Sequence, residues 1–212
     1  LQHPNVVRVV NFFRANDTVY MVMDYERGTN LQEYIRKHKG LIRENFIRGV
    51  FTRLLNGLRE VHAHKLLHLD IKPSNIYLRQ DGAPVLLDFG AARQTLVSSG
   101  APMLKPMYTP GFAAPEQYAS RDLLGPWSDI YSIGAIAYRL LTGKTSRPLA
   151  PGDAIEWPAA IPHGWKRVLE RSLQREAAWR YDSLTSLLAD LGRCRWPEDV
   201  IECLIEDARS CH

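Results

Sequence analysis

The sequence predicts an α+β fold, mostly helical, with one short β-hairpin near its middle. Three observations predict it. Residues 44–64 set Phe46, Ile47, Val50, Phe51, Leu54, Leu55, Leu58 and Val61 at the 3.6-residue period of an amphipathic helix. Two short apolar runs, 76–78 and 85–87, flank Asp81-Gly82, a hairpin signal. Residues 128–141 are apolar on nearly every side, which marks a buried helix.

The remaining elements follow in chain order. Residues 6–11 and 18–24 read as two strands joined by a turn over Arg14-Ala15-Asn16-Asp17. Gly28-Thr29-Asn30 breaks that pattern, and Asn30 is an N-cap for a short helix through Lys37. From 88 to 116 there is little periodicity and much Gly, Pro and Ser, a long loop of the kind that carries function. Residues 165–173 and 183–191 read as amphipathic helices. Pro197-Glu198-Asp199 signals the start of a last helix reaching about residue 207.

Composition narrows the function classes. The 212 residues, 45% apolar and 24% charged, suit one globular domain and exclude a disordered chain. The net charge of +4 comes from scattered Lys and Arg with no basic block interleaved with aromatics, so no nucleic-acid partner is expected. Cys194, Cys203 and Cys211 are odd in number and lack zinc-type spacing, which points to a reducing, cytoplasmic compartment. The best apolar run, 130–138, is bounded by Asp129 and Arg139 and falls short of the ~18 residues a membrane span needs. The chain starts at Leu1 with no leader pattern and reads as a piece of something longer.

The chemistry concentrates around His68-Leu69-Asp70-Ile71-Lys72-Pro73-Ser74-Asn75. A single loop carboxylate is usually a solvated turn former. Here Asp70 and Asn75 bracket a stiff Lys-Pro stretch, and Asp88 ends the strand that pairs with the strand after Asn75. The hairpin therefore brings Asn75 and Asp88 together as two oxygen ligands, a set that suits Mg²⁺ held mainly by substrate phosphates. Thr142-Gly143-Lys144-Thr145 resembles the end of a phosphate-binding loop, but the first Gly of that motif would fall at Tyr138, and the reading is discarded.

These residues resemble the C-terminal lobe of a eukaryotic-like, bacterial-type protein Ser/Thr kinase. Residues 68–75 match its catalytic loop, Asp88-Phe89-Gly90 its metal-binding motif and Ala114-Pro115-Glu116 the close of its activation segment. Tyr20-Met21-Val22-Met23-Asp24-Tyr25 matches the hinge strand, and Asp129-Ile130-Tyr131-Ser132-Ile133-Gly134 the buried central helix. The resemblance implies a protein-kinase-like fold and three parts. Residues 1–26 would be a remnant of the N-lobe with its hinge, 27–192 the C-lobe, and 193–212 a helical extension or linker.

It also implies site roles. Asp70 would take or orient the proton of an attacking Ser/Thr hydroxyl on a protein substrate, and Lys72 would neutralise charge on the phosphoryl group. Asn75 and Asp88 would hold Mg²⁺ on the phosphates of ATP. The Asp24 carbonyl and Glu26 amide would meet the adenine edge, with Met23 guarding the pocket behind it and Tyr77 on its floor. Thr109 would lie in the substrate-docking loop near Asp70 and Lys72. His68 is expected to pack in the core against Phe89 and Val9, Asp129 to hold the catalytic loop, and Glu116 and Arg180 to form a structural ion pair.

Departures from the family pattern carry their own expectations. No two of the 14 glycines stand two apart, so there is no Gly-x-Gly phosphate loop. The strand Lys and helix Glu of the family would lie upstream of Leu1. Losing two charge-assisted bonds of about 1.5–3 kcal/mol each should weaken nucleotide binding roughly 10²–10⁴-fold, so the chain alone is expected to be nearly inactive. Residues 1–23 are expected to be mobile or to pair with another chain, with Val7, Val10 and Val22 partly uncovered. Leu69 replaces an Arg that receives an activating phosphate, so alanine at Thr95, Ser98 and Ser99 together should leave the complete enzyme switched on. The stretch 143–165 is short for the family's substrate-side helix. The alternative functions are a non-catalytic kinase-like scaffold, and a small-molecule phosphotransferase, which Lys72 and Ala114-Pro115-Glu116 disfavour.

Overall fold

A long amphipathic helix crossed by a helix buried on nearly every side forms the centre of the core. This computed structural model describes residues 2–38, 42–88, 93, 94, 108–120, 123–158, 161 and 163–193. The helices are α1 (Leu31–Lys37), α2 (Glu44–Ala63), α3 (Pro126–Thr142), α4 (His163–Ser172) and α5 (Leu184–Gly192). Leu54, Leu55 and Leu58 of α2 and Ile130 and Ile136 of α3 are fully buried, and Trp165 of α4 and Leu187 of α5 join the same core. That distribution follows from the 3.6-residue period of α2 and the unbroken apolarity of α3.

Local chemistry sets the helix ends. The Asn30 side chain accepts from the Glu33 amide at 2.8 Å to start α1, and Ser183 does the same for α5. α3 stops where Gly143 turns left-handed (φ 71°) and donates to the Arg139 carbonyl at 2.8 Å. Buried Glu44 accepts from both Arg48 and the Trp165 indole, while Arg48 also donates to the Leu191 carbonyl, so α2, α4 and α5 lock at one corner.

The strands are β1 (Val9–Ala15), β2 (Thr18–Met23), β3 (Gly28–Asn30), β4 (Leu66–Leu67), β5 (Ile76–Arg79), β6 (Pro84–Leu86) and β7 (Arg93–Gln94). β1 and β2 pair antiparallel, β3-β5-β6 form a three-stranded sheet, and β4 pairs with β7. The expected hairpin over Asp81-Gly82 is present, with its second strand one residue earlier than the sequence suggests. β3 is an addition, because Gly28 reads as a breaker in the sequence. In the sheet Gly28 runs so close to the Leu78 carbonyl of β5 that no side chain fits there.

The first strand corrects the expectation of 6–11. Asn16 and Asp17 both take positive φ (51° and 54°), which closes a two-residue turn and carries the β1–β2 register down to Ala15 opposite Thr18. Residues 5–7 instead lie along β6, where the Val7 amide donates to the Leu86 carbonyl at 3.0 Å and the Leu86 amide to the Asn5 carbonyl at 2.9 Å. Gly57 of α2 makes room, since a Cβ there would press on Asn5 and Val6. Val7, expected to be partly uncovered, is therefore buried at 3% exposure, whereas Val10 and Val22 are exposed at 56% and 41%.

Residues 144–158 contain no helix, in line with the short stretch read there; the chain instead makes a bridge between Leu149 and Gln174. Phe89, Gly90, Thr95, Ser98, Ser99, the three cysteines and the helix expected after Pro197 lie outside the described residues. Among the described residues no helix is long and apolar enough to cross a membrane.

Candidate active site

The loop that leaves β4 is held from below by Asp129, in the first turn of α3. Its carboxylate accepts from the His68 amide (2.9 Å), the Leu69 amide (2.8 Å) and His62 Nε2 (2.8 Å). Burial pushes the Asp129 carboxyl upward, but the His62 hydrogen bond, the neighbouring histidines and the His68 amide outweigh it, and the group lies below the usual carboxylate range. His68 is fully buried. Its Nδ1 accepts from the Asp70 amide at 3.3 Å, so Nε2 is the protonated nitrogen and donates to the Leu87 carbonyl at 2.9 Å. Burial holds its pKa below 6.5, against the pull of Asp129 and the hydrogen bond to Leu87.

Leu69, between these two residues, has φ of 64°, and Asp88 has φ of 61°. A left-handed conformation at a non-Gly residue costs about 1–3 kcal/mol and persists only where neighbours over-determine it. At Leu69 the amide is held by Asp129, and the carbonyl accepts from Gln117 Nε2 at 2.8 Å. Both strained positions flank the acidic cluster.

That cluster centres on the Asp70 carboxylate. Lys72 Nζ sits 2.7 Å from Oδ2, Asn75 Nδ2 donates to Oδ2 at 3.2 Å, and Thr109 Oγ1 donates to Oδ1 at 3.0 Å. Asn75 Nδ2 also reaches the Asp70 carbonyl at 2.9 Å. A 3₁₀ turn over Pro73–Asn75 gives the bend that folds Asn75 back onto Asp70. The Asp70 side chain keeps 12% exposure, so the group faces an accessible surface.

The hairpin brings the second acidic group alongside. The Leu87 amide donates to the Asn75 carbonyl at 2.8 Å, which sets Asp88 next to the turn that carries Asn75. With its amide nitrogen committed to Asp70, Asn75 has Oδ1 left for a cation. Asn75 Oδ1 and the Asp88 carboxylate are hard oxygen donors, a set that fits a divalent ion whose other ligands are phosphate oxygens and water. Among the described residues no group of three or more His, Cys, Asp or Glu could hold a metal by itself.

The segment after β2 is tied to β5 of the three-stranded sheet. Arg79 of β5 grips the Glu26 carboxylate at 2.6 and 2.7 Å, and that hydrogen-bonded pairing lowers the Glu26 pKa. Tyr77 Oη donates to the Gly28 carbonyl at 2.9 Å. Glu26, just before β3, is thus bound to β5, which carries Tyr77 and follows directly on the turn that ends at Asn75. Met23 and Asp24 stand exposed at the end of β2, and among the described hydrogen bonds neither joins the Asp70 cluster.

Residues 1–180 match the protein kinase domain family. The chain belongs to that family. Serine/threonine-protein kinase B of Synechocystis sp. is 30% identical over 96% of this chain and 37% of its own length. Serine/threonine-protein kinase PknA of Nostoc sp. is 39% identical over 65% of this chain and 25% of its own. Serine/threonine-protein kinase F of Synechocystis sp. is 36% identical over 81% of this chain and 36% of its own. The matched stretches therefore span between a quarter and little more than a third of these relatives' lengths. The chain carries a bacterial-type Ser/Thr kinase catalytic domain with the kinase-like fold, and that family is one of ATP-using transferases.

The rest of the kinase domain supports this cluster from behind. Arg180 and Glu116 form a buried, two-pronged ion pair at 2.7 and 2.9 Å. The guanidinium also donates to the Gln174, Trp127 and Arg175 carbonyls, and Ser128 Oγ donates to Glu116. Every charge taken out of water there has partners, which is the condition for such a pair to hold. Arg180 also lies over the Tyr131 ring, whose hydroxyl burial pushes up to about 12.

Three positions in the kinase domain escape a reading of the sequence. His62, which donates to Asp129, is an ordinary basic residue in the last turn of α2. Arg79, the partner of Glu26, has no local signal, because β3 brings the two together. Gln117 stands three residues after Ala114, the place of the Glu or Gln in a capping box, and its Oε1 accepts from the Ala114 amide at 2.9 Å. Ala114 lacks the hydroxyl by which that motif is recognised.

Proposed function

We propose that Asp70, Lys72, Asn75 and Asp88 form the phosphoryl-transfer centre of a protein serine/threonine kinase, which moves the γ-phosphoryl of ATP to a Ser or Thr hydroxyl of a protein. The observation that carries the reading is the convergence of Lys72, Asn75 and Thr109 on the carboxylate of Asp70, beside the hairpin end that bears Asp88.

In the reaction the substrate hydroxyl oxygen forms a bond to the γ-phosphorus as the bond from that phosphorus to the β-phosphate oxygen breaks, releasing ADP. Asp70 orients the hydroxyl and takes its proton. Lys72, held on Asp70, meets the charge that builds on the transferring group. Asn75 Oδ1 and the Asp88 carboxylate would hold Mg²⁺. That ion, when bound, neutralises phosphate charge. Thr109 sits where an acceptor chain would approach and keeps Oδ1 of Asp70 oriented. Chemistry of this type needs positioning and charge neutralisation more than covalent help.

On the nucleotide side, the Asp24 carbonyl and Glu26 amide take the adenine edge, with Met23 behind and Tyr77 below. The Glu26–Arg79 pair supports this assignment by fixing that stretch to β5. We assign residues 1–26 as the strand pair and hinge, 27–192 as the C-lobe and 193–212 as an extension, and we place the activity in the cytoplasm.

The test uses the complete protein with labelled ATP and Mg²⁺. Acceptors are a Ser/Thr peptide, its Ala counterpart, an aminoglycoside and a sugar. Label on the Ser/Thr peptide alone, lost on chelation, is expected. Label on a small molecule, or on no acceptor while nucleotide binds, contradicts the assignment; the second outcome is that of a kinase-like scaffold.

A further inference from the structure

We propose that Gln117 is a positioning residue for Asp70, clamping the peptide that leads into it and tying the carboxylate's placement to the seating of the segment 109–117. The inference rests on the assignment of Asp70 as the proton acceptor.

The peptide unit between Leu69 and Asp70 has two polar groups, the Leu69 carbonyl and the Asp70 amide. The first accepts from Gln117 Nε2 at 2.8 Å and the second donates to His68 Nδ1 at 3.3 Å. The plane of that unit sets where Asp70 points. Leu69 is left-handed, and its buried apolar side chain offers no bond of its own, so the conformation depends on backbone partners. Asp129 supplies the partner on the amide side of Leu69 and Gln117 the one on the carbonyl side.

Gln117 is itself fixed. It is 4% exposed, its Oε1 accepts from the Ala114 amide at 2.9 Å, and its own amide donates to the Ala114 carbonyl at 3.0 Å. A glutamine that only capped this turn would need Oε1 alone; here the Nε2 end is spent on the residue before Asp70. The same segment supplies Thr109 to Asp70 Oδ1, and the amides of Phe112 and Ala113 donate to the Thr109 carbonyl. One stretch of chain therefore grips Asp70 twice, at its peptide and at its carboxylate. Seating that stretch positions Asp70 with no phosphate placed at Leu69.

Gln117→Met and Gln117→Glu in the complete protein separate this role from simple capping. Gln117→Met keeps the volume and loses both bonds; kcat is expected to fall about 10²-fold, with KM for peptide and ATP changed less than about 3-fold. Gln117→Glu keeps the Ala114 bond, but its ionised form opposes the Leu69 carbonyl, and only the protonated form can donate to it. The charged and titratable groups around this peptide are Asp129 with His62, His68, Asp70 with Lys72, and the Glu116–Arg180 pair, and burial raises the new carboxyl. Relative to wild type at the same pH, kcat of Gln117→Glu is expected to rise at least about 10-fold as pH falls from about 8.5 to about 5.5. A flat ratio across that range, or a Met variant with unchanged kcat, overturns the proposal. If wild type transfers no phosphoryl group, the assignment of Asp70 has failed instead. The clamp is then read by hydrogen exchange at the Leu69 and Asp70 amides. Exchange at least about 10-fold faster in Gln117→Met supports it, and equal exchange overturns it.

Discussion

Asn75 donates through one amide nitrogen to both the backbone carbonyl and the carboxylate of Asp70, at 2.9 and 3.2 Å. A residue five positions on is folded back by the 3₁₀ turn over Pro73–Asn75, so the loop closes on itself and the remaining Asn75 oxygen is directed by that closure. Asn75→Leu removes the donor and the oxygen together. In the complete protein it is expected to lower kcat about 10²–10³-fold, measured as peptide phosphorylation at saturating ATP and Mg²⁺. Asn75→Asp keeps an oxygen but sets a second carboxylate against Asp70, and should recover only part of the loss at high Mg²⁺.

Thr109 touches Asp70 through a single hydroxyl at 3.0 Å. A hydrogen bond to a charged group is worth about 1.5–3 kcal/mol, so Thr109→Ala should lower kcat/KM roughly 10–100-fold. Thr109→Ser retains the hydroxyl and should stay within about 3-fold of wild type in the same assay.

The Glu116–Arg180 pair lies in the interior, with Arg180 at 2% exposure and Glu116 at 7%. Removing one partner leaves the other charge buried and uncompensated, which costs about 3–5 kcal/mol. Urea unfolding of Arg180→Met should show a loss of this size with little change in slope. A loss below about 1 kcal/mol would assign the pair a surface-like role.

Acid should weaken the fold in two stages. The folded His68 lies below 6.5 through burial, so on acidification the unfolded chain binds the proton first. Its contribution is complete above 6.5 and is lost as pH falls below that value. Asp129 is lowered from 3.8 in the balance of burial against His62 and the His68 amide, so its contribution is present above 3.8 and disappears as pH falls through its lower folded pKa. Urea midpoints measured down the pH scale should decline first below 6.5 and then more steeply near 4 and below. His68→Gln should flatten the first decline and leave the second.

Much of this site is legible in the sequence because it is local. Asp70, Lys72 and Asn75 lie within one short loop, and Asp81-Gly82 announces the hairpin that brings Asp88 beside Asn75. The buried helix was equally plain, since nothing but a core accepts the apolar run from Ile130. What the sequence hides depends on partners remote in the chain. Val6 and Val7 are β-branched like Val9 and Val10 and read as part of the same strand, whereas the space over Gly57 admits Asn5 and Val6 and lets residues 5–7 lie along β6. Gly28 looks like a break until Leu78 is seen to run against it. Gln117 spends one end on its own turn and the other on Leu69, and no spacing rule connects positions 69 and 117.

Transfer of labelled γ-phosphoryl from ATP to a Ser/Thr peptide by the complete protein, compared between wild type and Asp70→Asn with MgATP binding measured in parallel, tests the central claim most directly. Asn at this position keeps the shape and most hydrogen bonds but cannot take a proton. A loss of at least about 10²-fold in transfer, with nucleotide binding kept within about 3-fold, is the predicted result. Equal transfer by the two proteins would contradict it.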